Sequence, residues 1–309
     1  MASSQSPNYF LLAANENWIC DRFLAEWKQE YGLEDHPNDA DIIWILSPYA
    51  WRGIPDSILA EKKVFVTIHH VVKEKFTKDA LREFLIRDKI VDGYHVPCQQ
   101  TYDFVSKITK KPIFIWPFWV NQDLWYPLDK QEARAKFGLS EDSYLVGSFQ
   151  RDTEGHDLVS PKLEKGPDIF CDIIEDMHKD NPKLEVVLAG WRRQYVMMRL
   201  YKAGINHHYY ELPPTELVND FYNCLDLYIV AARCEGGPQA IVECALSKTP
   251  IISTKVGIAP LILPETSLFD DNYKTAIPDV ESCYSKVEKH KIPKGFNGFK
   301  NFFESFMVE

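Results

Sequence analysis

Glu235 and Glu243 stand eight residues apart in the stretch AARCEGGPQAIVECALSKTPIISTKVG, which runs from Ala231 to Gly257. Gly236 and Gly237 would let a ligand approach the main chain. Pro238 suits the first turn of a helix, where a missing N–H costs nothing. The start of that helix, at Gln239 and Ala240, favours a phosphate. Gln239–Ser247 is apolar on nearly every side, which marks a buried helix, yet Glu243 sits in its middle. A buried carboxylate without a partner costs on the order of several kcal/mol, so Glu243 needs one. A ribose diol and an arginine distant in sequence would serve equally well.

A second group points the same way. The apolar run Tyr144–Phe149 ends in Gln150 and Arg151, and Lys165–Gly166 precedes a helix beginning near Pro167. In a doubly wound α/β domain the carboxyl ends of the strands line one crevice. Arg151, Lys165, Glu235 and the start of the Gln239 helix would all face it. Two cations, a helix N-terminus and two carboxylates fit a nucleoside diphosphate carrying a polyhydroxylated group.

The elements that must position these groups are legible as short apolar strands alternating with amphipathic helices. Strands are expected at Tyr9–Ala13, Asp41–Leu46, Val64–Ile68, Gly93–Val96 and Ile113–Trp116, then at Tyr144–Phe149, Leu184–Ala189, His208–Glu211, Leu227–Val230 and Ile251–Ser253. Helices fit Trp18–Tyr31, Thr77–Lys89, Gly166–Asp180, Arg192–Ala203, Pro214–Asn223 and Gln239–Ser247. Nearly all-apolar strands separated by helices imply parallel sheets covered on both faces. The 309 residues exceed what one core supports, since cores stop growing near ~250–300 residues. Two doubly wound α/β domains follow, with the boundary between Pro117 and Glu141, a segment containing the charged run Asp129–Lys136. The phenylalanines 299, 302, 303 and 306 share one helical face, so the tail should dock.

With 35 Lys+Arg against 45 Asp+Glu, the chain carries a net charge of -10, which argues against nucleic acid as a partner. The one local basic cluster, Arg192, Arg193, Arg199 and Lys202, reads for the most part as a solvated helix face. No apolar run is long enough for stable membrane insertion. The seven cysteines are odd in number and never spaced as CxxC, which suits buried thiols in the cytoplasm.

Taken together, these residues resemble the retaining GT-B glycosyltransferases of the GT4 family (glycosyl transferases group 1). Glu235 and Glu243 look like that family's E-x7-E motif, Gly147–Arg151 with Lys165–Gly166 like its phosphate-binding Arg/Lys pair, and Leu212–Asp226 like the segment before its donor block. The resemblance spans roughly Pro112–Leu263. It implies an α/β fold of two facing Rossmann-like doubly wound domains with a cleft between them. Residues 1–125 would bind the acceptor, residues 126–290 the nucleotide sugar, and residues 291–309 would form a helix returning to the N-terminal domain.

The reaction implied is metal-independent transfer of a hexose from a UDP- or GDP-sugar to a hydroxyl of a glycan or small acceptor, with no cofactor. Position by position, Arg151 and Lys165 would neutralise the diphosphate, and Glu235 would hold sugar hydroxyls. Glu243 would bind the ribose and backbone near Leu212 the base. Ser148 and Gly236 to Ala240 would complete the donor site. His69 and His70 occupy the region where the family places an acceptor- or sugar-contacting histidine. The family's glycine-rich loop after the first strand is missing; Asn15 and Asn17 are the candidates to replace it. The loop from Arg151 to Lys165 is longer than usual and contains Glu154 and His156. A GT-B epimerase and a non-catalytic nucleotide-sugar binder are the alternatives.

Overall fold

The computed structural model describes residues 6–16, 19–155 and 157–307. The chain forms two compact units, Met1–Trp119 with Pro293–Glu309, and Val120–Ile292.

In the first unit, strands β1 (Tyr9–Leu12), β2 (Ile42–Ile45), β3 (Lys63–Thr67), β4 (Gly93–Val96) and β5 (Ile113–Ile115) make a parallel sheet in simple sequence order. The register sets Ile43 beside Val64 and Phe65 beside Gly93. Side chains alternate between faces, and both faces are apolar. On one face Ile43, Ile45, Val64 and Val66 meet Leu59 of α2 (Asp56–Leu59), Phe84 of α3 (Lys78–Asp88) and Val105 of α4 (Gln99–Val105). On the other, Trp27 of α1 (Ile19–Tyr31) lies edge-on to Trp44, 5.3 Å between ring centres. The tail helix Asn297–Glu304 packs Phe303 on the same face, 4.9 Å from Trp44 and 4.7 Å from Phe65.

The aromatic face contains a short polar relay. Trp44 Nε1 donates to Thr67 Oγ1 at 2.9 Å, Thr67 Oγ1 lies 3.0 Å from His95 Nδ1, and His95 Nε2 lies 2.7 Å from the Trp116 carbonyl. Burial lowers the His95 pKa to about 3, so the ring is neutral. Its Nε2–H therefore donates to the carbonyl and its Nδ1 accepts from Thr67.

In the second unit, α5 (Lys130–Lys136) leads into β6 (Tyr144–Ser148), followed by α6 (Pro167–Asp180), β7 (Leu184–Ala189), α7 (Gln194–Ala203), β8 (His207–Tyr210), α8 (Thr215–Cys224) and β9 (Leu227–Val230). The chain continues through α9 (Gln239–Ser247), β10 (Ile251–Thr254), α10 (Ala259–Ile262), β11 (Leu268–Phe269) and α11 (Val280–Val287). The strand order is β11-β10-β9-β6-β7-β8, with parallel pairing throughout. The chain winds outward from β6 to β8, returns to lay β9 along the other side of β6, and winds outward again. Strand order therefore reverses between β6 and β9.

Helix α6 shows why the local sequence folds as it does. Gly166 adopts a left-handed conformation just before it, Pro167 occupies its first turn, and Phe170, Ile173 and Ile174 recur on one buried face. That face meets Val146, Val186, Leu188 and Ile229, with Val196 and Leu200 of α7 alongside.

Three departures from the sequence reading have physical causes. The charged run 129–136 is a helix, α5, capped by Asp129, whose carboxylate accepts from the Gln131 and Glu132 amides at 2.9 Å each. Helix α7 starts at Gln194 because Arg192 is left-handed, with φ 58°. Strand β11 is only two residues long, below what alternation can reveal. Six of the cysteines are buried and Cys234 is half-buried. Among the described residues no helix is long and apolar enough to cross a membrane.

Candidate active site

In an open α/β sheet, ligands bind at the carboxyl ends of strands where strand order reverses. In the second unit that point lies between β6 and β9, so the loops after Ser148 and Val230 meet there. Gly166 makes the meeting possible. A Cβ on it would lie 1.8 Å from the Ala231 carbonyl oxygen, and its φ of +64° already excludes most side chains. The two loops are then stitched together. Gln150 Nε2 donates to the Lys165 carbonyl at 2.7 Å, and the amides of Arg233 and Cys234 donate to the Glu164 carbonyl at 2.9 and 3.0 Å. The Arg233 guanidinium grips Asp168 at 2.7 and 2.6 Å. Held this way, Lys165 Nζ contacts the Glu235 carboxylate directly. The candidate phosphate cation and the candidate sugar carboxylate are thus one ion pair.

The long loop after Arg151 closes on itself. Thr153 bridges to Pro161, and the amides of Glu154 and Lys162 donate to Ser160 and Asp152 carbonyls at 2.8 and 2.9 Å. Arg151 Nε donates to the Thr153 carbonyl at 2.9 Å. The closure returns Lys162 to the site. Its ammonium pKa is lowered by burial first and then by the neighbouring Arg151 and Lys165, with Glu164 at 3.5 Å partly offsetting them. Lys162 is therefore a third cation that the sequence reading missed, because loop closure and not spacing brings it back. His156, in the same loop, lies outside the described residues.

Beneath these loops is Arg193, and here the reading of a solvated basic face is corrected for two of the cluster's four residues, Arg192 and Arg193. Arg193 is 1 % exposed and Arg192 8 % exposed. Arg193 Nε pairs with the wholly buried Asp152 at 3.2 Å, Nη1 bonds the Ala189 carbonyl at 2.9 Å, and Nη1 also bonds the Ser148 carbonyl. Nη2 reaches the Ser148 hydroxyl at 3.4 Å. One guanidinium thus ties the end of β6 to the end of β7. Burial raises the Asp152 carboxyl pKa, and the Arg193 charge counteracts that rise. Arg199 does lie on the helix surface, pairing with Glu175 at 2.6 Å and Asp172 at 2.9 Å.

Helix α9 begins at Gln239, with Pro238 immediately before it. Gly236 and Gly237 form the turn into it. Gly257 packs so close that a Cβ there would lie 2.3 Å from the Gly236 carbonyl oxygen. Gln239 Nε2 donates to the Gly237 carbonyl at 3.3 Å, and Gln239 Oε1 is buried without a hydrogen-bond partner. Ala240 follows in the first turn, half-buried. Glu243 is 6 % exposed, and the Tyr222 hydroxyl of α8 donates to it at 2.8 Å. Burial and the Glu243 charge raise the Tyr222 pKa, so the phenol keeps its proton and remains a donor. Tyr222→Phe is expected to destabilise this unit by about 1–3 kcal/mol in urea unfolding, the scale of a buried acceptor losing its donor. A loss below the lower figure would mean that this bond does not hold Glu243.

Leu212, in the loop after β8, has φ 43° and is 62 % exposed. An apolar side chain held left-handed in the open is a strained position of the kind that gathers at ligand sites. Ser148, Arg151, Lys165, Leu212, the 235–240 turn and Glu243 all belong to the second unit. Asn15, His69 and His70 belong to the first. Asn15 is exposed and left-handed, with φ 53°, in the loop after β1, and Asn17 and Trp18 lie outside the described residues. His69 Nε2 lies 2.8 Å from the Leu46 carbonyl and 3.5 Å from Cys20 Sγ, and its ring stacks on Phe118. His70 lines a pocket near Tyr49. Trp51, Trp119 and Trp125 are core residues at 4 % exposure or less, while Tyr49 is 59 % exposed.

Residues 158–289 match the family model of glycosyl transferases group 1. The chain is 26% identical over 196 residues to the lipopolysaccharide core biosynthesis mannosyltransferase LpsB of Rhizobium meliloti (strain 1021), covering 59% of this chain and 53% of that protein. It thus spans about half the length of this curated relative. Among solved structures, sucrose-phosphate synthase from Thermosynechococcus elongatus superposes with TM-score 0.66 at 14% identity, over 92% of this chain and 75% of that one. Anabaena Alr3699/HepE in complex with UDP-glucose superposes with TM-score 0.65 at 15% identity, over 87% of this chain and 78% of that one. The fold is GT-B, built of two Rossmann-like parallel-sheet α/β units.

Proposed function

We propose that the chain is a retaining glycosyltransferase that moves a hexose from a UDP- or GDP-sugar to a hydroxyl of a glycan or small acceptor. One observation carries the reading. At the reversal between β6 and β9, Lys165 contacts Glu235 just ahead of α9, and Lys162 feels the charges of both Lys165 and Arg151. The glycosyl transferases group 1 match over 158–289 covers most of that site and supports the same chemistry.

In this account the three cations stabilise the negative charge that grows on the diphosphate as the sugar C1–O bond breaks. The acceptor oxygen bonds to C1 on the same face, and its proton passes to an oxygen of the departing phosphate. Glu235 holds sugar hydroxyls, Glu243 the ribose, and backbone at Leu212 the base. Lys165 releases Glu235 to meet the phosphate when donor arrives, so the ion pair keeps both groups placed until then. With three cations on the leaving group, no metal ion is needed for charge neutralisation. The seven cysteines, all free thiols, fit work in the reducing cytoplasm.

Incubation with UDP- and GDP-hexoses and a panel of hydroxyl acceptors should release nucleoside diphosphate and give a product with the donor's anomeric configuration by NMR. EDTA should leave the rate unchanged. Inverted product would overturn the retaining assignment, and inhibition by EDTA would overturn the metal-free one.

A further inference from the structure

Trp191 stands at the carboxyl end of β7 and is 47 % exposed, whereas Trp27, Trp44, Trp51, Trp119 and Trp125 are at most 4 % exposed. Among the described residues its indole meets no other aromatic ring and makes no hydrogen bond. The guanidinium of Arg192 covers one face, 4.0 Å from the ring centre. The exposure therefore falls on the other face and the ring edge. Arg192 is itself 8 % exposed and left-handed, and among the described residues its guanidinium has no ion pair or hydrogen bond. The carboxylate across the loop, Asp152, is held by Arg193 instead. A broad apolar ring is thus braced from behind and left open in front, which is the form of a stacking platform.

Strand order decides what stacks there. Glu235 follows β9, Arg151 follows β6, Trp191 follows β7 and Leu212 follows β8, and these four strands are neighbours in that order. The loop after β7 is bonded on both sides. Its Arg192 carbonyl accepts from the Asp152 amide at 3.2 Å and from Thr153 Oγ1 at 3.4 Å, beside Arg151. Its Gly190 amide donates to the Tyr210 carbonyl at 3.1 Å, and the Tyr209 hydroxyl donates to the Gly190 carbonyl at 3.0 Å, beside Leu212. Trp191 and Leu212 each stand two residues beyond the registered pair Ala189 and Tyr210. Across the sheet, Trp191 therefore lies on the opposite side of β6 from Glu235, towards Leu212. Under the transferase reading, on which the assignment rests, Glu235 marks the sugar side, so the geometry points to Trp191 as the stacking residue for the nucleobase of the donor. Every base has a π face, so uracil and guanine share this chemistry.

Calorimetry on the full chain with UDP, GDP and inorganic pyrophosphate is the test. Trp191→Ala should weaken nucleotide binding by about fivefold to a hundredfold, the range for losing one base–aromatic stack, and leave pyrophosphate binding within about twofold. Trp191→Phe, which keeps a ring, should recover most of the affinity. Urea midpoints of both variants should match that of the unsubstituted chain, since the side chain is half exposed. Of UDP and GDP, the one whose affinity falls more in Trp191→Ala identifies the base. Nucleotide binding unchanged in Trp191→Ala, or weakened equally with pyrophosphate, would overturn the assignment alone. A loss seen with a nucleotide sugar but not with the diphosphate would move Trp191 to the sugar and overturn it too. Failure of the unsubstituted chain to bind either nucleotide would overturn the transferase reading along with it.

Discussion

Arg193→Met is expected to lower the stability of the second unit by about 3–5 kcal/mol, the cost of leaving one member of a buried ion pair behind. The partner left behind is Asp152, which is fully buried and, among the described residues, is paired with Arg193 as its one cation. The same change frees the carbonyls of Ser148 and Ala189, which the guanidinium now satisfies. Asp152→Leu added to Arg193→Met should recover part of the loss, because it removes the stranded carboxylate but not the stranded carbonyls. Urea unfolding followed by far-UV circular dichroism would read both, the second transition being assigned by its shift in the variants. A loss below about 1 kcal/mol for the single variant would show that Arg193 does not tie β6 to β7.

The second large effect is a divergence between two neighbours. Lys165→Ala should weaken nucleoside diphosphate binding by about 1.5–3 kcal/mol in calorimetry, the scale of a hydrogen bond to a charged group. It also strips Glu235 of its cation, so turnover should fall further than binding. Glu235→Ala should do the opposite to binding. With its partner gone, Lys165 is free for the phosphate, and diphosphate affinity should hold or rise while turnover drops by about two orders of magnitude or more. Because the two side chains touch, the double variant should not show the sum of the single effects. Equal loss of binding and turnover in Glu235→Ala would refute its placement on the sugar.

The sheet strands and the helix carrying Glu243 were legible because their signals are local. Leu184–Ala189, Leu227–Val230 and Gln239–Ser247 are apolar runs bounded by turn residues, and each forms where the sequence reading puts it. The contact of Lys165 with Glu235 agrees with one topological rule about strand ends. What stayed hidden was set by tertiary contact. Arg193 looks like any cation ahead of an amphipathic helix, and only the closure of the 152–162 loop supplies Asp152 to bury it. Lys162 is one lysine among several until that loop folds back. Arg134 lies in a charged run yet is 2 % exposed, bonding the Cys224 carbonyl at 2.9 Å and Asp226 at 2.6 Å. Tyr222 gave no signal as the partner of Glu243, since 21 residues and a strand separate them.

Amide hydrogen exchange with and without UDP or GDP tests most directly whether the strand ends of the second unit hold a nucleoside diphosphate. Slowed exchange is expected in Phe149–Gly166, in Gly190–Tyr195, in Glu211–Thr215 and in Cys234–Ile241, with the amides after β2 and β3 of the first unit unchanged. Protection absent from all four segments at saturating nucleotide, or confined to the first unit, would contradict it.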